Sequence, residues 1–396
     1  MKVTPFTWLA FGFFGYFCAY GFFVPFFPVW LKSQSYDEEL IGLILAASYL
    51  FRFIGGIYFS ALIKKASQLL NALRLFAWAG VLLTFAMGMF AEHFWLLFAA
   101  IALLAMVNSA GIPLNDTLAT TWQHQVHLDY GKARLIGSAA FAVGVTVFGN
   151  MIGFVGEKNI IWLLCALFLL YALLQVTIPT IPPRDEKTDD PTDAQKALSK
   201  NVNSPTFVEL LKNMTTLRLL IAISLIHGSH AVYYGYSVLY WTGFGISVQT
   251  TSLLWGLSVI AEMCLFFVAT KFFKHWNVSS LFYLSAVAAV IRWLGFGFSD
   301  ELWLIAVLQT FHSLTFAVSH YALVRYISTQ PANAVPKLQG LYNGFASCAA
   351  VALFTGIGSV IYPTSPSAAF LSMVFFAALA LFVIPRKVEA FLIKRN

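Results

Sequence analysis

Five ionisable residues stand well inside long apolar stretches of this sequence: Arg52, Asp116, Arg134, Glu262 and Arg292. A charge at the centre of a bilayer costs about 2.5–3.5 kcal/mol on insertion scales, so such residues usually mark a pathway or pair with one another. Their sum is unbalanced. Three arginines face two carboxylates, and an unpaired buried cation is unfavourable until an anion arrives. A monocarboxylate ligand would supply that anion, and arginine can hold a carboxylate through two parallel hydrogen bonds. Arg134 is the first choice for that contact, with Arg52 or Arg292 as deputies.

Aromatic and imidazole side chains recur at helical spacing around these charges. His227, His230, Tyr234, Ser237 and Trp241 fall within about 80° of one helix face, and a face carrying two histidines is expected to look inward. His312, Thr315 and His320 form a second such side, and Tyr16, Tyr20, Phe23, Phe27 and Trp30 a third. Together they predict a cavity with an aromatic wall and few polar groups, suited to a flat apolar body with one polar end. Tyr20, Tyr234 and Trp241 are expected to flank the ring of such a ligand, with His230 beside them. Histidine titrates near neutral pH, so His312 and His320 are candidates for a proton relay with Glu262. Asn108, Asn115 and Asp116 share about 100° of one face, next to a carbonyl freed by Pro113. A short turn, Gln123 to Tyr130, would make the helices of Asp116 and Arg134 antiparallel neighbours.

Other chemistries find little support. No metal site is expected, because zinc sites add Cys or carboxylate ligands at closer spacing. Neither a phosphate-cradling glycine loop nor a nucleophile elbow occurs, which argues against ATP-driven transport, hydrolysis and any bound cofactor. The cysteines, Cys18, Cys165, Cys264 and Cys348, lie in apolar blocks without CxxC pairing and read as buried hydrophobes.

The elements that would position these residues are membrane spans. Of 396 residues 59% are apolar and 10% charged, which excludes an ordinary soluble enzyme and a disordered chain alike. The apolar blocks are long enough to cross a ~30 Å hydrocarbon core. They place an all-α membrane protein of twelve spans near 5–31, 38–63, 70–90, 94–119, 133–154, 160–179, 218–243, 249–273, 277–298, 302–327, 337–361 and 366–385. Residues 1–179 form an amino-terminal six-helix bundle, 180–217 a polar linker with Pro182-Pro183-Arg184-Asp185-Glu186-Lys187 and Asp189-Asp190-Pro191, and 218–396 a carboxy-terminal six-helix bundle. The first block is too long for a signal-peptide core and is kept as a span.

Lysine and arginine set the orientation. Lys64-Lys65, Lys271, Lys274, Arg386-Lys387 and Lys394-Arg395 gather on one side, with Lys32 and Lys158 on the other, so both termini are expected in the cytoplasm. The net charge of +7 therefore reflects topology, and no nucleic-acid partner is expected. The halves echo each other weakly. Tyr20-Gly21-Phe22 matches Tyr234-Gly235-Tyr236, and the spacing Ser48, Arg52, Lys64 matches Ser258, Glu262, Lys274. Parallel repeats of this kind build two-half transporters that bind substrate between the halves.

With these residues in view, the sequence resembles the major facilitator superfamily, in particular the branch with lactose permease, nucleoside–proton symporters and phenylpropionate permeases. One carrier of the likeness is Asp116 followed eighteen residues later by Arg134 in Asp129-Tyr130-Gly131-Lys132-Ala133-Arg134-Leu135-Ile136-Gly137. The resemblance implies that these two bind substrate, with an aromatic ring at Phe141. Another is Leu308-Gln309-Thr310-Phe311-His312, where lactose permease has Lys for Gln309, the same His, and its proton-carrying Glu at Thr315. Glu262 and Arg292 match positions of functional charge in that family. The pattern His230-Ala231-Val232-Tyr233-Tyr234-Gly235-Tyr236, with Trp30-Leu31-Lys32, is most similar to the phenylpropionate permeases of Gram-negative bacteria.

Two departures matter. Thr315 replaces the proton-carrying glutamate, so Asp116 or Glu262, with His312, is expected to take that role. The superfamily's loop signature after the second span keeps Gly56 but has Ser60 in place of Asp, ahead of Lys64-Lys65. The resemblance implies a monomeric secondary transporter of the bacterial inner membrane, not an enzyme, that couples proton entry to uptake of a small aromatic carboxylate such as 3-phenylpropionate. A proton symporter for a neutral sugar or nucleoside is the alternative.

Overall fold

The computed structural model describes residues 1–185, 205–331 and 333–388. The linker stretch from Glu186 to Pro191, the Lys394-Arg395 tail and the side chain of Ser60 lie outside that description.

Twelve helices are long and apolar enough to cross a membrane among the described residues. They are α1 Pro5–Ser33, α2 Glu38–Phe59, α3 Ala66–Met89, α4 Phe94–Val126, α5 Tyr130–Val155, α6 Glu157–Gln175, α7 Met214–Gly243, α8 Val248–Phe272, α9 Val278–Phe298, α10 Leu302–Ser328, α11 Val335–Ile361 and α12 Pro366–Val383. In lipid every backbone N–H and C=O must be satisfied within the segment, which leaves helix as the solution for such apolar runs. Polar residues mark where several begin. Asp37 Oδ1 accepts from the Leu40 amide at 2.8 Å, Asn213 Oδ1 from Thr216 at 2.9 Å, and Asn277 Oδ1 from Ser280 at 2.7 Å. Large apolar side chains such as Leu82, Trp95, Phe267 and Phe382 remain exposed on the outside, where acyl chains would cover them.

The helix bounds differ from expectation where a polar residue can still be helical. Helix α4 runs on to Val126, because its last residues are solvated and need no apolar partner. The turn into α5 is therefore shorter than expected, with His127 in the left-handed region at φ 54°. Helix α7 begins earlier, at Met214, on the Asn213 cap.

Five spans are not regular throughout. Helix α4 is interrupted at Ala110 and α7 at Ser229 and His230, while α5, α10 and α11 each contain a wider π-type turn, at Gly144–Phe148, Ser313–Ala317 and Asn343–Ala349. Such irregular backbone in a membrane protein collects where helices line cavities and polar groups.

The first residues of the chain and the exit of α6 share one face. A two-residue strand β1, Lys2–Val3, pairs in parallel with β2, Ile178–Pro179, at the exit of α6. Nearby, Trp8 Nε1 donates to Thr177 O (3.0 Å) and Arg74 donates to Gln175 O and Thr177 O (2.8 Å each). On the opposite face the two halves close on each other. Tyr236 donates to Glu38 O (2.8 Å) and stacks on Tyr362 (4.2 Å between ring centres). Gly42 leaves no room for a Cβ beneath the Tyr236 hydroxyl and Ser359, nor Gly153 beneath Gln249. Helix pairs α2 with α11, α1 with α7, and α5 with α8 form this contact between the halves. No comparable packing joins the Gly111–Val126 segment of α4 to α10 or α11, so the halves part toward the face bearing the first residues.

Candidate functional site

A small pocket lies between the halves, walled by α1, α2, α7 and α11. Tyr20, Phe23, Val24 and Phe27 come from α1, Leu45, Ser48, Tyr49 and Arg52 from α2, Tyr234 and Gly235 from α7, and Thr355 from α11. The wall is aromatic and aliphatic apart from the Arg52 guanidinium and the hydroxyls of Ser48 and Thr355. Arg52 Nη1 donates to Tyr20 Oη at 2.8 Å, and its charge lies 4.8 Å from the centre of the Tyr20 ring. Among the described residues no carboxylate lies within 4.0 Å of Arg52. Tyr20 is held in turn by stacking on Tyr16 and by the edge of Phe141, with ring centres 6.0 Å apart in each case. Tyr16 is anchored by donating to Asn108 O at 2.9 Å, beside the interruption of α4.

Asp116 and Arg134 occupy neighbouring helices, with Tyr130 between them. The Tyr130 hydroxyl donates to Asp116 Oδ1 at 3.0 Å and interacts also with the Arg134 guanidinium. Arg134 lies over Phe17 (4.5 Å) and, farther off, Phe13 (5.7 Å). Asp116 and Arg134 are near enough to influence each other but form no direct ion pair within 4.0 Å among the described residues. Asp129 caps the start of α5 by accepting from the Lys132 amide (3.1 Å), and that bond with the Lys132 ammonium holds its carboxyl below the usual range.

The charges of the other half are locked together. Arg292 is fully buried; Nε donates to Leu308 O (3.1 Å), Nη2 to Gln309 Oε1 (2.9 Å), and Nη1 to His312 Nδ1 (3.1 Å) and Thr315 Oγ1 (3.4 Å). Tyr233 and Trp293 present ring faces to it at 4.5 and 4.8 Å. Arginine can only donate, so His312 Nδ1 must accept. Its proton then sits on Nε2, which meets Glu262 Oε2 at 3.3 Å. The same logic fixes His230. Its Nδ1 faces Ile226 O (3.0 Å) and must donate, leaving Nε2 to accept from the Thr315 hydroxyl at 2.9 Å. A chain thus runs from Glu262 through His312 and Arg292 to Thr315 and His230. His227, Ser319, Tyr342 and His320 form a second chain, and the Phe316 ring stacks between His227 (4.5 Å) and His312 (5.3 Å).

Of the residues singled out from sequence, the structure brings Tyr20, Arg52 and Tyr234 to the cavity wall, with Phe141 directly behind Tyr20. It places Asp116 and Arg134 with Tyr130 toward the open end, and Glu262, Arg292, His312 and His320 in the carboxy-terminal half. His230 and Trp241 lie elsewhere than on the cavity wall. Both are fully buried, His230 against Thr315 and Trp293 and Trp241 against Tyr233 and Phe296. For His230 the reason is the interruption at Ser229 and His230, which breaks the helical phase; Trp241 lies about two turns beyond Tyr234, where it packs on Tyr233 and Phe296. Ser237 likewise turns into the half, accepting from Trp255 Nε1 at 3.0 Å.

Several participants carried no signal. Ser48, Tyr49 and Thr355 are uncharged residues within apolar runs. Gln309 was visible only as a neutral substitution in the resemblance, yet it holds Arg292, Tyr233 Oη and Leu254 O together.

Comparison with known proteins adds to this geometry. Residues 6–374 match the MFS_1 like family. Over 394 residues the chain is 34% identical to the "Probable 3-phenylpropionic acid transporter" of Escherichia coli (strain K12), covering 98% of this chain and all of that protein. Among solved structures it is similar to the nucleoside transporter NupG, with a TM-score of 0.77 at 15% identity over 96% of this chain and 98% of that one. A D-xylose-proton symporter gives a TM-score of 0.66 at 14% identity over 98% of both chains. Those two likenesses speak to the fold.

Proposed function

The chain belongs to the MFS_1 like family of major facilitator transporters, a multi-pass protein of the inner membrane, and from that premise we propose that it takes up a small aromatic monocarboxylate such as 3-phenylpropionate together with a proton. The observation that carries this reading is Arg52: a guanidinium without a carboxylate partner, set in an aromatic cavity between the halves. A carboxylate docked there supplies the missing charge, while Tyr20, Phe23, Phe27 and Tyr234 receive the ring. Arg52 thus takes the place given to Arg134 on sequence alone, because Arg52 lines the pocket while Arg134 lies off it, near Asp116 and over Phe17.

The proton is assigned to Glu262. Its carboxylate is half-buried and is the single acid of the Arg292–His312 chain, so protonation there removes the charge that balances Arg292. One proton with one monocarboxylate moves no net charge, and the membrane potential, worth about 2.3 kcal/mol per charge per 100 mV, then neither drives nor opposes the loaded step. With both termini in the cytoplasm, as the Lys and Arg distribution supports, the cavity in this arrangement is reached from the cytoplasm. The working unit is proposed to be the monomer.

Counterflow of labelled 3-phenylpropionate in proteoliposomes tests the reading. The native protein should exchange the acid, and Arg52→Gln should weaken its binding about 30-fold or more, as expected when one partner of a desolvated charge pair is removed. Exchange of uridine or xylose in place of the acid, or undiminished exchange by Arg52→Gln, would overturn it.

A further inference from the structure

The cavity has a second polar feature, at the end remote from Arg52. Thr355 of α11 is 1% exposed and lines the cavity, and its Oγ1 has no hydrogen-bond partner. That is unusual here. Most other hydroxyls within the spans are satisfied by their own helix, as when Ser48 donates to Ile44 O (2.8 Å), Thr84 to Gly80 O (2.7 Å) and Ser224 to Leu220 O (2.7 Å); Ser285 of α9 shares the exception but lines no part of this pocket. A buried hydroxyl without a partner costs about 1–3 kcal/mol, a penalty lifted by any ligand atom that bonds to it.

The helices fix where this hydroxyl lies. A Cβ on Gly42 would strike Ser359, and one on Gly344 would approach Phe53, so α2 and α11 run side by side in opposite directions. Counting from those two crossings at ~1.5 Å per residue puts Thr355 roughly 9–15 Å nearer the closed face than the Arg52 backbone. Side chains lean toward the amino end of their helix, and for Arg52 that is the closed face, so its guanidinium shortens the gap. Ser48, on the same wall, donates to Ile44 O and keeps lone pairs free to accept. Phe27 and Leu45 supply the apolar surround of this end.

We propose that Thr355 is a specificity residue that receives a ring hydroxyl, so that the transported class is an arylalkanoate hydroxylated at the meta or para position. This deepens the reading of the same cavity given above and rests on it: Arg52 holds the carboxylate, and Thr355 the phenol. Thr355 donates a hydrogen bond to the phenolic oxygen, and the phenol keeps its proton and donates it in a hydrogen bond to an acceptor on the same wall such as Ser48 Oγ.

The test compares ligand affinities of the full-length protein in detergent, by ligand-dependent thermal stabilisation, for 3-phenylpropionate and its 3- and 4-hydroxyphenyl analogues. In the native protein at least one hydroxylated acid should bind about 3–10-fold tighter than the parent, as one net hydrogen bond allows. In Thr355→Val, which keeps the shape, that ratio should fall to about one. A native ratio of one or below, or a ratio unchanged in Thr355→Val, overturns the assignment. Arg52→Gln is the separate arm. It should weaken all three acids alike; if it weakens none, the carboxylate reading fails, whereas the Thr355 ratio still reports on the hydroxyl site.

Discussion

The two halves of the molecule treat buried arginine in opposite ways. Arg292, in the carboxy-terminal half, is fully enclosed, each of its nitrogens donates to an acceptor, and three aromatic rings lie within 5.4 Å. Arg52, in the amino-terminal half, has one phenol and an empty space before it. The first arrangement leaves no donor for a ligand; the second leaves several. Buried charge of the same type is thus enclosed by protein partners in one half and faces a pocket in the other, where the proposed function puts the carboxylate. Arg134 is intermediate, with Tyr130 and Asp116 nearby, and still reachable from the open side.

That contrast can be broken most sharply on Arg292. Arg292→Leu leaves Gln309 Oε1, Leu308 O and His312 Nδ1 without their donor, and should lower folding stability by about 3–5 kcal/mol, read as a large fall in melting temperature or loss of folded protein. Arg52→Leu should leave the melting temperature unchanged or raised. The reverse ranking would undo the comparison. Next in size is ligand binding, where Arg52→Gln should cost about 30-fold or more and Arg134→Gln several-fold less, measured as 3-phenylpropionate affinity.

Glu262→Gln sharpens the division from the other side. It should abolish accumulation of the acid against its gradient under an imposed pH difference, yet leave counterflow within about threefold, a loss well short of that from Arg52→Gln. Equal loss of both activities would place Glu262 in substrate binding instead. A smaller effect is expected at Gly235, which lines the cavity and where a Cβ would sit 3.2 Å from Leu45 Cδ1. Gly235→Ala should weaken binding of the acid by a few-fold through crowding, with folding unaffected.

The smallest concerns Asp129. Its carboxyl is held below the usual range, so the cap is complete at neutral pH and is lost only as the pH falls past the ordinary value of about 3.9 toward the lower folded one. Asp129→Ala should remove that acid-side dependence of stability and leave transport unchanged.

The spans were legible because hydropathy in lipid is a constraint on every residue of a segment, so long apolar runs bounded by Asp37, Asn213 or Asn277 announce helices directly. The five intramembrane charges were legible for the same reason, since each stands out against its run. Which charge faces which was not. Tyr130 between Asp116 and Arg134 is ordinary in sequence, and no charge pattern distinguishes the enclosed Arg292 from the pocket-facing Arg52. The face through His227 and His230 to Tyr234 failed as a unit because the helix breaks at Ser229 and His230, just after Gly228, a glycine that does not stand out among the many in these spans; Pro113 marks the break in α4 more plainly. Thr355 illustrates the limit most plainly. A threonine amid alanine, leucine and phenylalanine becomes informative only when coordinates reveal that its own helix does not accept its proton.

The pairing of the first residues with Ile178 and Pro179 has a practical corollary. The Met1 carbonyl accepts from the Ile178 amide at 3.1 Å and Val3 O from Thr180 at 2.8 Å, which staples the start of α1 to the exit of α6. A bulky reporter fused ahead of residue 1 would pull on that staple, and through α1 on Tyr20, Phe23 and Phe27. Purification handles and fluorescent labels intended to leave uptake unaltered therefore belong away from the amino end.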